Sequence, residues 1–342
     1  MINSVFHRYS PYVAGLTVLL LMTVSIPVLA EGEKVRWGKS IEDATKQAAE
    51  TGKPIMMDFY TDSWGWCDRL DAETFTDANV VTLSEKFITV KVNPQDTELP
   101  INDETRKKYG ITGYPTILFI GPDGGVITKK VGYAPPEEFA PVMEAAFKKE
   151  MEFQAKLAKF KEMPDDTTLN SEIAILYIKR EQLEKALLIN KKIPDDVKLN
   201  NEVALAYLGQ RQLKKALPFS KKVIENDPKN TSGLLPTLHI QLGVAYGNQI
   251  RDKTEDIAAE NTKMALMHFQ KVIDTYPKSD VYELAQLYLG VTYSISKQYD
   301  KSIEVLEKLV NHATDERVKL NAEANLKQVK ELAAEAEQKS DN

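Results

Sequence analysis

The stretch DFYTDSWGWCDRLD, Asp58 to Asp71, decides how the first part of this 342-residue chain is read. The apolar run IMMDFY, which ends inside it, has the length and composition of a buried strand, and the residues after WGW open a helix. At the junction stands Cys67, the only cysteine in the sequence. One cysteine cannot close a disulfide within its own chain, so this thiol is either a reactive group or a small buried side chain.

Outward from the junction, strands and helices alternate. SIEDATKQAAET, Ser40 to Thr51, has small or apolar residues at Ile41, Ala44, Ala48 and Ala49 and predicts a helix stopped by Gly52. TDANVVTLSEKF predicts a helix buried through Val80, Val81, Leu83 and Phe87, with Asp77 and Asn79 as caps. ITVKVN is a strand, and NDETRKKYG a short helix opened by Asn102 and closed by Gly110. PTILFI and VITKKV are strands joined through Gly121, Asp123, Gly124 and Gly125. Those glycines lack the Lys-Ser/Thr ending and following helix of a phosphate loop, so they are a hairpin turn. A last helix runs from about Pro135 to Lys149. This order predicts a mixed sheet with helices on both faces.

The order and two local strings resemble the thioredoxin superfamily over about Val35 to Lys149. MMDFYTDSWGWCDRLDAETF resembles the family's strand, active-site turn and helix, and YGITGYPTILFIGPDG resembles its cis-proline segment. The nearest likeness is to exported thioredoxin-like domains whose active site reads C-G-W-C. The resemblance implies an α/β thioredoxin-like domain over residues 31–150. It also implies two cysteines two residues apart, the first exposed at a helix N-terminus and the second resolving the mixed disulfide. Here Trp64 holds the first place and Cys67 the second. A dithiol cycle is therefore not expected. Cys67 is read as an unreactive structural cysteine, the alternative being a monothiol that borrows an external thiol. Asp58 matches the family's buried acid that exchanges protons with the resolving cysteine, or is simply a strand aspartate. Pro115 matches the cis-proline, and Trp64, Trp66 and Tyr114 are candidate walls of a peptide groove beside it, unless Trp66 packs on its own domain.

The chain begins with a short, mildly basic segment to Tyr12, then an apolar run from Val13 to Val28, then VLA ending at Ala30 and a polar EGEKVR. This three-part pattern predicts a secretory signal peptide over residues 1–30. Cleavage after Ala30 leaves 312 residues, and loss of Arg8 takes the net charge from −6 to −7. The alternative is an uncleaved anchor, though Pro27 interrupts the run and its length is short for a bilayer. A periplasmic or otherwise extracytoplasmic location follows, with no stable transmembrane segment after cleavage. There is no basic tract, so nucleic acid is not expected as a partner. His7, His239, His268 and His312 are far apart in sequence and no cysteine cluster accompanies them, so no metal or other cofactor is expected.

The second part repeats itself. KEMPDDTTLNSEIAILYIKREQLEKAL, Lys161 to Leu187, aligns with KKIPDDVKLNNEVALAYLGQRQLKKAL, Lys191 to Leu217, at an offset of 30 residues. Pro164 matches Pro194, Tyr177 matches Tyr207 and Ala186 matches Ala216. Each unit holds two amphipathic helices that cannot bury their apolar sides alone, so the units must stack. LHIQLGVAYG and LAQLYLGVTYSISKQYDKSIEVLEKLV carry the theme on, the former followed by about ten extra residues around NQIRDKTEDIA. These units resemble tetratricopeptide repeats. The resemblance implies an all-α solenoid over residues 164–314 after a helical linker at 151–163, with a capping helix and tail at 315–342. Small residues at Ala174, Ala204, Gly243, Ala265, Gly290 and Ser302 are expected to let helices approach, and Tyr177, Tyr207, Tyr246 and Tyr293 to pack. Asn170, Asn200, Gln241 and Gln286 are candidate ligand residues on a concave face; Asn200 is otherwise a solvent or cap residue. The expected partner is a polypeptide or partner protein, bound at the cis-proline face, the repeat groove or both. Mass analysis of the exported protein should give an N-terminus at Glu31; an intact Met1 segment would remove the cleaved-signal reading.

Overall fold

The computed structural model describes residues 34–250 and 254–340. The predicted signal segment and part of the insertion after Gln249 lie outside them. The first helix, α1 (Ile41–Thr51), is capped by Ser40, whose Oγ accepts from the Asp43 N–H, and stopped by Gly52 at φ 72°. Ala49, expected on the apolar side, is exposed. Strand β1 (Ile55–Phe59) lies between β2 (Ile88–Val92), parallel to it, and β3 (Thr116–Ile120), antiparallel, with β4 (Val126–Val131) on the outside of β3. A bridge from Gly38 to Val90 covers part of the other edge.

Alternation along the strands builds two cores. Ile55, Met57, Phe59, Leu118 and Ile120 meet Ile41, Ala44 and Ala48 of α1, with Tyr109 and Ile111 just beyond α4 (Pro100–Lys108). Met56, Ile117 and Phe119 meet α3 (Ala78–Ser84) and α5 (Pro136–Glu162) on the opposite face. The mixed sheet with helices on both faces is as expected. Asp77 caps α3 through the N–H groups of Asn79 and Val80. Asn102 does not open α4. The helix begins two residues earlier, at Pro100, and Asn102 is buried inside it, its amide donating to the Asn93 carbonyl at 3.0 Å.

The expected end of the last α/β helix near Lys149 is also corrected. Helix α5 continues without a break to Glu162, over 27 residues. Its first half places Phe139, Met143 and Ala146 in the sheet core, and its second half places Phe153 in the core of the helices that follow. Those helices are α6 (Thr167–Lys179), α7 (Leu183–Asn190), α8 (Val197–Gly209), α9 (Leu213–Asn226), α10 (Leu235–Gly247), α11 (Glu255–Thr275), α12 (Tyr282–Ile295), α13 (Tyr299–His312) and α14 (Glu316–Ser340). They form successive helical hairpins, with α6, α8, α10, α12 and α14 packed in series.

The 30-residue offset holds at the level of single hydrogen bonds. Asp166 and Asp196 accept from the N–H groups of Leu169 and Leu199, Asn170 and Asn200 donate to the carbonyls of Pro164 and Pro194, and Glu181 and Arg211 share a positive φ. Close approach is also real. A Cβ on Gly243 would stand 2.5 Å from the Phe269 ring, and one on Gly290 2.8 Å from Leu306. Tyr177 meets Phe153 edge-on and Tyr207 meets Phe219, as packing residues. His239 and His268, distant in sequence, are brought together between α10 and α11, Nδ1 to Nδ1 at 2.8 Å. Burial lowers both imidazoles to about 4, aided by the charge of Lys271 at His239 and by His239 at His268, so the pair is neutral at pH 7.

The two parts are fastened by Arg180, the residue after α6. Its guanidinium donates to Glu150 of α5 at 2.8 Å and to Asp123 of the β3–β4 turn at 2.9 Å, and lies 4.1 Å from the centre of the Phe153 ring. Its carbonyl accepts from the Val126 N–H, so the start of edge strand β4 is paired to the helical part. Gly121 and Gly125 make room for it: a Cβ on Gly121 would fall 2.1 Å from an Arg180 nitrogen. Glu150 has no solvent exposure, so removing the arginine leaves a buried carboxylate without its partner. Arg180→Ala should therefore destabilise by ~3–5 kcal/mol. Trp37, Trp64 and Trp66 are the only tryptophans and all lie before α5. Denaturant transitions followed by tryptophan fluorescence and by helical circular dichroism should coincide in the wild type and separate in Arg180→Ala.

Candidate functional site

The site is built where β1 passes into α2 (Gly65–Arg69). Trp64 caps α2 in an extended conformation, and Cys67 is its third residue. One π turn, Leu70–Thr74, follows, closed by the Phe75 N–H on the Leu70 carbonyl. The turn delivers Phe75 to the core, against Trp37 and Phe139.

Cys67 is 5% exposed, whereas Trp64 and Trp66 are 52% and 51% exposed. Burial pushes the Cys67 thiol above its ordinary value; a main-chain hydrogen bond from Thr61 opposes this, and the charges of Asp58 and Asp71 add to the rise. A neutral, enclosed thiol is a poor nucleophile. Asp58 points to the same side of the sheet, 2% exposed. Burial raises its carboxyl from the ordinary 3.8 to about 7, against the pull of Lys91.

Sequence reading missed Lys91 and Asp71. In the parallel register of β1 and β2, Lys91 is the partner of Asp58. Its ammonium stands 3.6 Å from Asp58 Oδ2 and 2.6 Å from Asp71 Oδ1. Burial alone would lower the Lys91 pKa, but the two carboxylates outweigh it and hold it above the usual value. The one signal in the sequence was alternation: ITVKV places Lys91 on the face opposite Val90 and Val92.

Trp64, Gly65, Trp66 and Arg69 line a surface depression of about 440 Å³. Its wall is fixed. Trp66 meets Tyr133 at 5.8 Å, Arg69 lies over both rings, and Glu73 accepts from Arg69 and from the Tyr133 hydroxyl. Tyr114–Pro115 is a cis peptide. Tyr114 is half-buried and leans on the α1 face of the sheet. Pro115 is buried and its carbonyl accepts from the Gly132 N–H. Among the described residues, the main-chain N–H and C=O of Tyr114 have no partner. Trp64 and Trp66 thus share one depression, and neither Tyr114 nor Pro115 lines it.

The candidates in the helical part divide. Asn170 and Asn200 are buried, with their amides spent on the turns before α6 and α8, so neither is available to a ligand on a concave face. Gln241 is exposed, and Gln286 is half-buried against the Tyr282 hydroxyl. A groove of about 600 Å³ between α11 and the α12–α13 turn is lined instead by Thr262, Lys263, Leu266, Met267, Tyr293 and Gln298 among others. No group of three or more potential metal ligands occurs among the described residues.

Residues 41–147 match the family described as thioredoxin-like domain. The segment is 30% identical over 110 residues to the thiol:disulfide interchange protein DsbD of Colwellia psychrerythraea, which is 32% of this chain and 18% of that protein. It is 32% identical over 84 residues to the protein of the same name from Actinobacillus pleuropneumoniae, 25% of this chain and 14% of that one. The chain thus spans less than a fifth of these curated relatives. Among solved structures it is similar to a putative disulphide-isomerase from Bacteroides thetaiotaomicron, at 28% identity and TM-score 0.31, covering 34% of this chain and 96% of that one. It is also similar to the C-terminal domain of Neisseria meningitidis DsbD, at 22% identity and TM-score 0.28, covering 32% and 97%. By the family match and the DsbD likeness, residues 41–147 are a thioredoxin-like α/β domain similar to thiol–disulfide proteins, and helices follow it. Among the described residues no helix is long and apolar enough to cross a membrane.

Asp58 carries a pH signature. Between about pH 4 and 7 the folded chain keeps its proton while the unfolded chain has lost it, so this group's contribution to stability falls as pH rises through that window. Asp58→Asn should raise stability at pH 8 by an amount on the order of 2–4 kcal/mol and much less at pH 4. Urea unfolding of both proteins at the two pH values checks this.

Proposed function

We propose that this chain is an exported polypeptide-binding protein, in which a thioredoxin-like domain without a dithiol cycle is joined to a tetratricopeptide-like repeat array. The proposed division is 1–30 signal peptide, 31–150 thioredoxin-like domain, 151–163 linker within the long helix, 164–314 repeats and 315–342 cap and tail. One observation carries the reading: a half-exposed tryptophan, Trp64, stands at the helix start where the attacking thiol belongs, and the remaining thiol, Cys67, is buried. What remains at that face suits binding. The domain offers two exposed indoles and, in the turn before β3, the unpartnered main chain of Tyr114, which can pair with an extended segment by strand addition. The groove along α11 is a second candidate surface.

A second reading is favoured by the names of the relatives and by Asp58 and Lys91. Here Cys67, deprotonated through Asp58, attacks a substrate disulfide. One sulfur forms a mixed disulfide with Cys67, the other leaves as a thiolate, and an external thiol such as glutathione then attacks the mixed bond and releases Cys67. Lacking a second cysteine, the chain cannot complete this alone.

Reductase turnover of wild type, Cys67→Ser and Trp64→Cys, each with and without glutathione, separates the two. The binding reading expects negligible turnover for wild type and Cys67→Ser, and a local disulfide with weak activity in Trp64→Cys. Wild-type turnover that depends on glutathione and is lost in Cys67→Ser would establish the monothiol enzyme instead.

A further inference from the structure

The indole face has an electrostatic character that narrows its partner. From Asp58 to Glu73 the chain carries five carboxylates and one arginine. Three of the five are satisfied by internal cations or buried: Asp58 and Asp71 by Lys91, and Glu73 by Arg69. The other two, Asp62 and Asp68, are exposed and flank the aromatic pair in the string Asp62-Ser-Trp64-Gly-Trp66-Cys-Asp68. Neither has a cationic partner among the described residues; Asp62 accepts only from the Asn93 amide, at 3.1 Å. That bond ties the Asp62 side chain to the turn after β2. The only cation lining the depression, Arg69, is already tied to Glu73 at 2.9 Å and laid over Tyr133 at 4.4 Å.

Resting on the polypeptide-binding reading above, we infer that the Trp64–Trp66 face selects a basic polypeptide segment, whose lysine or arginine side chains lie between the indoles and the Asp62 and Asp68 carboxylates. The chemistry supports each contact. Indole faces attract ammonium and guanidinium groups, and the attraction strengthens as water is displaced. Unpaired carboxylates beside them add directional, charge-assisted hydrogen bonds. The same carboxylates repel acidic segments and phosphates, so the face discriminates by charge as well as by apolar contact. The wall needs little reordering on binding, because Trp66, Arg69, Tyr133 and Glu73 already hold one another.

The test uses the full chain and two fluorescein-labelled twelve-residue peptides with a central Leu-Phe pair, one carrying four lysines or arginines and the other four glutamates at the same places. Anisotropy titrations should show the basic peptide binding at least tenfold tighter than the acidic one. Its Kd should rise as salt increases from 50 to 300 mM. Asp62→Asn combined with Asp68→Asn should weaken the basic peptide about fivefold and leave the acidic one unchanged or tighter. Trp64→Ala should weaken both; because that side chain is half-exposed, thermal unfolding should be unaffected. Equal affinity for the two peptides, lost in Trp64→Ala, would overturn the charge selection and leave polypeptide binding standing. Binding of neither peptide to the wild type would remove the binding function of this face altogether. Basic-peptide binding that is insensitive to both the tryptophan and the aspartate variants would place the site elsewhere and overturn the inference.

Discussion

Arg180 is the side chain on which the arrangement of the whole molecule depends. An arginine that is 6% exposed must be neutralised where it lies, and it is neutralised from the other half of the chain, by Glu150 and Asp123. Burial opposes the ionisation of Asp123, but Arg180 outweighs it and holds the carboxyl below the usual range. Lys185 adds a second cation to Asp123, and Gln182 donates to the Asp123 carbonyl. The β3–β4 turn is thereby gripped by the turn between α6 and α7. Because α5 contributes to both cores and Arg180 closes the gap beside it, no flexible linker separates the α/β domain from the helices.

This constraint also protects the sheet. Edge strand β4 has an open side, and its first residue is paired to the Arg180 carbonyl while Lys129 reaches Glu181. An edge whose start is covered and whose later residues include two lysines is a poor template for unwanted pairing. The opposite end of the sheet, where Trp64 and Trp66 stand, is left free of the helical half. The surface with the exposed indoles and the surface that docks the helices are thus kept apart.

At the indole face, a cluster of titratable groups acts on the thiol of Cys67. Buried Asp58, part-buried Lys91 and the more exposed Asp71 form a partly compensated cluster whose charges act on a thiol of raised pKa. A buried acid held near neutrality is costly to keep. Beside that cluster the domain exposes the two indoles of Trp64 and Trp66.

The sequence by itself determined what local periods and local caps encode. Apolar runs marked the strands, Gly52 and Asp77 marked helix ends, and the 30-residue offset marked the paired helices. The resemblance to the thioredoxin superfamily, and not the spacing alone, put Trp64 in the place of a first cysteine. Only the tertiary structure decided the rest. Lys91 meets Asp58 because two strands lie parallel in one register, and His239 meets His268 because two helices cross. Asn170 and Asn200, legible as polar residues on a helix, turned inward because a preceding proline carbonyl needed a donor. Gly121 and Gly125, read as turn residues, proved to be the clearance for a guanidinium from more than fifty residues away. Polar and charged partners are chosen by which surfaces come together when water is excluded, and no period in the sequence records that choice.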